Sequence, residues 1–230
     1  MNARYCRIAL VTTLMLLAGC LRAPKVDPPV PVDHSGQVTP PVATAPAAPA
    51  FAGFLRDLYR KQPFVSHPAS GTDPGWLALP VSFEPVSRLR SGIESLSGVV
   101  LEHRGEAHIT LITPPEAAAI REYDPGLTVD VLEAVARPWL DRAAWSTPGI
   151  GSLSQGDDET WFLVVESPDL RELRRDLAFV FQLPPAVFDP EAQDLHVTIG
   201  FRNGDIWPPA GSKTRTSLRP DLNWQAVLGL

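Results

Sequence analysis

The sequence predicts an α+β fold of two duplicated lobes, each an antiparallel sheet flanked by helices, related by a pseudo-two-fold axis around a central cleft. Two observations carry that prediction. A strand, helix, loop, strand order occurs twice, and each copy ends in a tetrapeptide of the same chemistry: His108-Ile109-Thr110-Leu111 and His196-Val197-Thr198-Ile199. The spacing agrees, with 32 residues from Trp76 to His108 and 35 from Trp161 to His196.

The chain of 230 residues begins with an address rather than with fold. Arg4 and Arg7 precede an apolar run over residues 8–17 that leads into Leu17-Ala18-Gly19-Cys20. This reads as a signal peptide over 1–19, because the run is shorter than the roughly 20 residues a membrane helix needs. The tetrapeptide resembles a bacterial lipobox, which implies lipidation at Cys20, a cell-envelope location and attachment to the membrane through the N-terminal lipid. Leu21 stands where an aspartate would favour the inner membrane, so the outer membrane, facing the periplasm, is expected. Replacing Cys20 with serine should then abolish lipid labelling and leave the precursor uncleaved. Unchanged labelling and membrane fractionation would rule the anchor out. Residues 20–50 hold many of the 25 prolines and show no periodicity, so they read as a polyproline-rich tether. At about 3.1 Å per residue it could reach on the order of 90 Å. The folded domain is then 51–230.

Within that domain, residues 51–61 place Phe51, Phe54, Leu55, Leu58 and Tyr59 at helical spacing. The first unit reads as a strand at 76–81, a proline-started helix over 85–96 and a strand at 107–113. A helix over 128–140, kinked or ended near Pro138, links the units. A hairpin follows, with strands at 147–155 and 160–166 around Gln155-Gly156-Asp157-Asp158-Glu159. The second unit takes the strand at 160–166, a helix over 169–182 capped by Ser167-Pro168 and stopped by Pro184 and Pro185, and a strand at 194–201.

Both cysteines, Cys6 and Cys20, precede the domain, so it has no disulfide framework and no thiolate zinc site. The net charge is −6, or −8 once Arg4 and Arg7 leave with the signal, which argues against a surface that coats long nucleic acid. A small ligand or a chain end fits better.

The two tetrapeptides are the strongest signal. From this chain's composition a histidine begins His-apolar-Thr-apolar by chance about 1% of the time, so two of five doing so is a roughly one-in-a-thousand coincidence. Alternate side chains of a strand share a face, so His108 and Thr110 project together, as do His196 and Thr198, over Ile109, Leu111, Val197 and Ile199 in the core. Arg202 follows the second motif and is a candidate substrate-binding cation. His103, in the polar run over 102–106, and His67, in a proline-glycine loop, read as surface positions. Tyr123, Trp161 and Phe201 read mainly as packing.

Over residues 75–210 these motifs resemble the two-histidine phosphoesterase superfamily. The continuation Gly200-Phe201-Arg202-Asn203-Gly204-Asp205-Ile206 is more similar to a branch described as RNA-repair-like, whereas the signal and tether depart from its usual cytoplasmic members. The resemblance implies a 2′,3′-cyclic phosphodiesterase-like hydrolase without metal or other cofactor, acting on a nucleotide-like cyclic phosphate, a related small phosphodiester or an RNA end. The chemistry suits imidazole: with an unperturbed pKa of about 6.5, one ring can take a proton from water while the other gives one to the leaving oxygen. The threonine hydroxyls can donate to the phosphoryl oxygens. The two motifs are equivalent at this level, so base and acid stay unassigned. The competing class is a lipoprotein that binds phosphorylated ligands on the same fold without turning them over.

Overall fold

Helix formation starts earlier than the helical spacing at residues 51–61 suggests. In the computed structural model, which describes residues 47–207 and 212–230, helix α1 spans Ala47–Leu58. It takes in the last residues assigned to the tether, because Pro49 falls in the first turn, where a missing N–H costs nothing. The signal sequence, Cys20 and the rest of the tether lie outside the described residues. Among the described residues no helix is long and apolar enough to cross a membrane.

The first unit is β1 (Leu77–Val81), α2 (Phe83–Ser97) and β2 (Ala107–Ile112). Helix α2 ends on Gly98, whose φ of 71° is the left-handed cap that glycine adopts without a Cβ clash. Two helices link the units, α3 (Pro114–Tyr123) and α4 (Val129–Leu140). Pro138 does not end α4 early, since it lies in its last turn. The hairpin is tighter than expected: β3 (Ser146–Gln155) and β4 (Asp158–Glu166) pair up to Gln155 and Asp158, leaving the two-residue loop Gly156-Asp157, with Gly156 at φ 61°. The second unit continues through α5 (Pro168–Val180) to β5 (His196–Arg202). A 3₁₀ turn at Arg215–Ser217 and helix α6 (Trp224–Leu228) complete the described chain.

The strands form one antiparallel sheet in the order β1-β2-β5-β4-β3. The inner order β1-β2-β5-β4 reads the same from either end when the two units are exchanged, as a duplicated α+β fold requires. The half-sheets are not separate, however. They join edge to edge, Ile109 opposite Val197, so the two histidine-bearing strands are neighbours at the centre of one sheet. Joining them in this way satisfies backbone groups that two facing sheets would leave at open edges.

The helices pack on one face. Ile109, Leu111, Leu163, Val197 and Ile199 from the sheet meet Leu89 and Ile93 of α2, Ile120 of α3, Leu132 of α4 and Leu173 and Leu177 of α5 in a single core. Strand β4 reads as a continuous apolar run because it is covered on both faces. Trp161, Leu163 and Val165 enter the core, while Phe162 and Val164 are buried outside it, on the face that carries the histidines.

Candidate active site

The register fixes where the motifs point. With Ile109 opposite Val197 and both in the core, His108 stands opposite Thr198 and Thr110 opposite His196, all four on the other face. The imidazoles occupy a diagonal of this square, about 7 Å apart at the backbone. The strand periodicity that placed each pair on one face therefore also brings the pairs together.

The two rings have different surroundings. The backbone carbonyl of Asp194 lies 2.7 Å from Nδ1 of His196, and since a carbonyl can only accept, Nδ1 carries the hydrogen. Nε2 is left with its lone pair, 3.3 Å from the ammonium of Lys213. Burial, then the Lys213 charge, push the His196 pKa down to about 3, against a smaller upward pull from the Asp194 carbonyl. His196 is neutral near pH 7. His108 packs against the indole of Trp76, ring centroids 4.5 Å apart, and His67 stacks on the same indole at 3.6 Å. Its Nδ1 is buried without a well-aligned hydrogen bond, and the closest carboxylate oxygen, Oε1 of Glu106, is 3.5 Å away. Burial, then Arg104 and His67, lower its pKa to about 4.

A charged network lies beside the rings. Asp205 accepts from Arg104 through Oδ2 at 2.9 Å and from the hydroxyl of Thr160 through Oδ1 at 3.2 Å, and Oδ1 also faces the Lys213 ammonium at 3.6 Å. Lys213 is 3% exposed and its amine lies over the ring of Phe162. Its backbone N–H donates to the carboxylate of Asp194 at 2.8 Å. His108, Thr198 and Arg104 line one small cavity of about 20 Å³, and His196, Lys213 and Trp207 line another of about 70 Å³.

Arg202 is placed elsewhere. It sits at the far end of β5, its Nε donating to the carbonyl of Asp157 in the β3–β4 hairpin, so the cations beside the imidazoles are Arg104 and Lys213. Arg104 belongs to the polar run read as a surface turn. That run is drawn in because Glu102 pairs with Phe201 through two backbone hydrogen bonds, an approach that leaves no room for a side chain at Gly200. Trp161 is core, as read, and Tyr123 is exposed. The exposed aromatic at the site is Trp207, 65% exposed beneath the Arg104 guanidinium. Among the described residues there is no cluster of three or more histidines, cysteines and carboxylates that could hold a metal.

No curated protein and no solved structure matches the chain. A family model does, over residues 75–207, and its description is "Swiss Army Knife, 2H phosphoesterase domain". That span covers more than half the chain and contains both His-x-Thr strands, so the protein belongs to the 2H phosphoesterase family.

Proposed function

We propose that this phosphoesterase opens a 2′,3′-cyclic phosphate or a related small phosphodiester without a metal, with His196 as general base and His108 as general acid. The observation that carries the reading is the square of His108, Thr198, Thr110 and His196 on one sheet face. The roles follow from the neighbours. The Lys213 ammonium disfavours a second positive charge on His196, whose Nε2 lone pair suits a base. An anionic phosphate that enters beside His108, whose Nδ1 already lies 3.5 Å from the Glu106 carboxylate, favours an imidazolium there. His196 takes a proton from water, the water oxygen bonds to phosphorus, the bond to the leaving ribose oxygen breaks, and His108 protonates that oxygen. Thr110 and Thr198 donate to the non-bridging oxygens. The lipobox at Cys20 and the tether support placing this activity on the envelope, where RNA ends or nucleotide-like cyclic phosphates are candidate substrates.

The test is a screen of the full chain against nucleoside 2′,3′-cyclic phosphates and cyclic-ended oligonucleotides, with and without a chelator. Turnover unaffected by the chelator is expected. No turnover, or turnover that needs an added divalent ion, would defeat the reading. The pH dependence is a second check. With the His108 pKa depressed to about 4, its protonated fraction in the free enzyme shrinks up to tenfold for each pH unit above that value. Hence kcat/KM should fall as pH rises from 6 to 8. A rise over that range would exclude an imidazolium acid.

A further inference from the structure

The buried ammonium of Lys213 lies closer to a reactive nitrogen than to any carboxylate shown beside it. It donates to the uncharged Nε2 of His196 at 3.3 Å and also pairs with the Asp205 carboxylate at 3.6 Å, which Arg104 and Thr160 share. An ammonium taken out of water needs close pairing, and the carboxylate that pairs with this one is divided among three donors while the nearer partner is a neutral imidazole. Burial indeed lowers the Lys213 pKa, against the opposing pull of Asp205. The bond from the Lys213 N–H to Asp194 ties down the backbone, so a change of partner by the ammonium is confined to torsions of the four-carbon stem.

Because Nδ1 of His196 is committed to the Asp194 carbonyl, any reacting group must approach Nε2, and there it comes within reach of the ammonium. We propose that Lys213 is the phosphate-anchoring residue of this site: it caps Nε2 of His196 while the site is empty and transfers its hydrogen bond to a non-bridging phosphoryl oxygen when a phosphodiester enters. The transfer frees Nε2 for water at the moment a base is needed. It also adds a charged donor to the neutral hydroxyls of Thr110 and Thr198. The proposal rests on the phosphodiesterase reading above.

The full wild-type chain, Lys213→Met and Lys213→Arg are compared on uridine 2′,3′-cyclic phosphate and on the two diastereomers of its phosphorothioate. Lys213→Met should lose about 10²-fold in kcat/KM, the scale of one preorganised donor to the phosphoryl group, and Lys213→Arg should retain part of the activity. The wild type should prefer one diastereomer, and Lys213→Met should lose that preference, since sulfur in place of the contacted oxygen no longer matters. A lysine that only holds the fold would slow all three substrates alike and leave the preference intact, which would overturn the proposal. A second measurement needs no variant. The sequence has three lysines, Lys25, Lys61 and Lys213, so the Nζ signal of Lys213 can be followed by ¹⁵N NMR in the wild type. That signal should move on adding uridine 2′,3′-cyclic phosphate, and an unmoved signal would refute the contact. If the wild type turns over no cyclic phosphate, the hydrolytic reading fails, and the NMR titration alone still decides whether Lys213 anchors the ligand.

Discussion

Replacing Arg174 with methionine should destabilise the domain by about 3–5 kcal/mol, the cost of removing one partner from a buried ion pair. Arg174 is fully buried on α5 and its guanidinium is shared among three parts of the chain. Nη2 donates to Glu116 of α3 at 2.8 Å and to the Asp189 carbonyl at 2.7 Å, Nε to the Pro190 carbonyl at 2.8 Å, and Nη1 to the carbonyl of Leu111. The ring of Phe188 closes one face of the group at 4.4 Å. Methionine fills much of the volume, but it takes the cation from the half-buried Glu116 carboxylate and a donor from the Leu111 and Pro190 carbonyls, and lost partners of that kind are costly in a buried place. For a domain of this size the loss corresponds to a drop in Tm on the order of 10 °C. Arg174→Lys should recover little, because a single ammonium cannot span the fork. Adding Glu116→Gln to Arg174→Met should return part of the loss by removing the stranded charge. A melting temperature within experimental error of wild type would mean that the network contributes nothing. Leu111 follows Thr110 on β2, and residues 189–190 lead towards His196, so this arginine also ties together the approaches to both motif strands.

What the sequence disclosed follows from which interactions are local. Period-two alternation in His108-Ile109-Thr110-Leu111 and His196-Val197-Thr198-Ile199 is a backbone property, so face and chemistry were both readable. Ser167-Pro168 announced α5 because a hydroxyl cap and a proline in the first turn act within a few residues, and the Ser167 hydroxyl does accept from the Leu170 N–H. Helix α3 carries an equally local signal. Thr113-Pro114-Pro115-Glu116 reads as a break, yet Thr113 and Glu116 form a reciprocal capping box and both prolines sit where a helix tolerates them. The joining of two half-sheets into one was not readable, since the β2–β5 pairing links residues far apart in sequence. Nor were Arg104, Asp205 and Lys213. Each is a single charge in a polar or glycine-containing stretch, and only tertiary contacts with β4 and β5 bury the latter two. Arg202 stands out in the sequence because it is adjacent to the second motif, a nearness the extended strand turns into distance.

His108→Ala and His196→Ala should each reduce turnover of a 2′,3′-cyclic phosphate by about 10²-fold to 10⁴-fold, the range for a positioned general acid or base. The double replacement should cost far less than the product of the two, because a proton-transfer cycle lacking one partner gains little from the other. Thr110→Val and Thr198→Val keep the shape and each remove one donor to a charged phosphoryl oxygen. At about 1.5–3 kcal/mol for such a bond, the loss should be roughly tenfold to a hundredfold. The environments of the rings make the roles separable. A diester with a p-nitrophenolate leaving group needs no proton on departure, so it should restore much of the activity of His108→Ala. The same substrate should do little for His196→Ala, in which water has lost its base. The Asp194 carbonyl on Nδ1 and the Lys213 ammonium at Nε2 are what set His196 apart in this way. Rescue of His196→Ala in place of His108→Ala would reverse the assignment. Activity on every cyclic phosphate that survives the double histidine replacement would remove the imidazoles from the chemistry and leave ligand binding as the better account of the site.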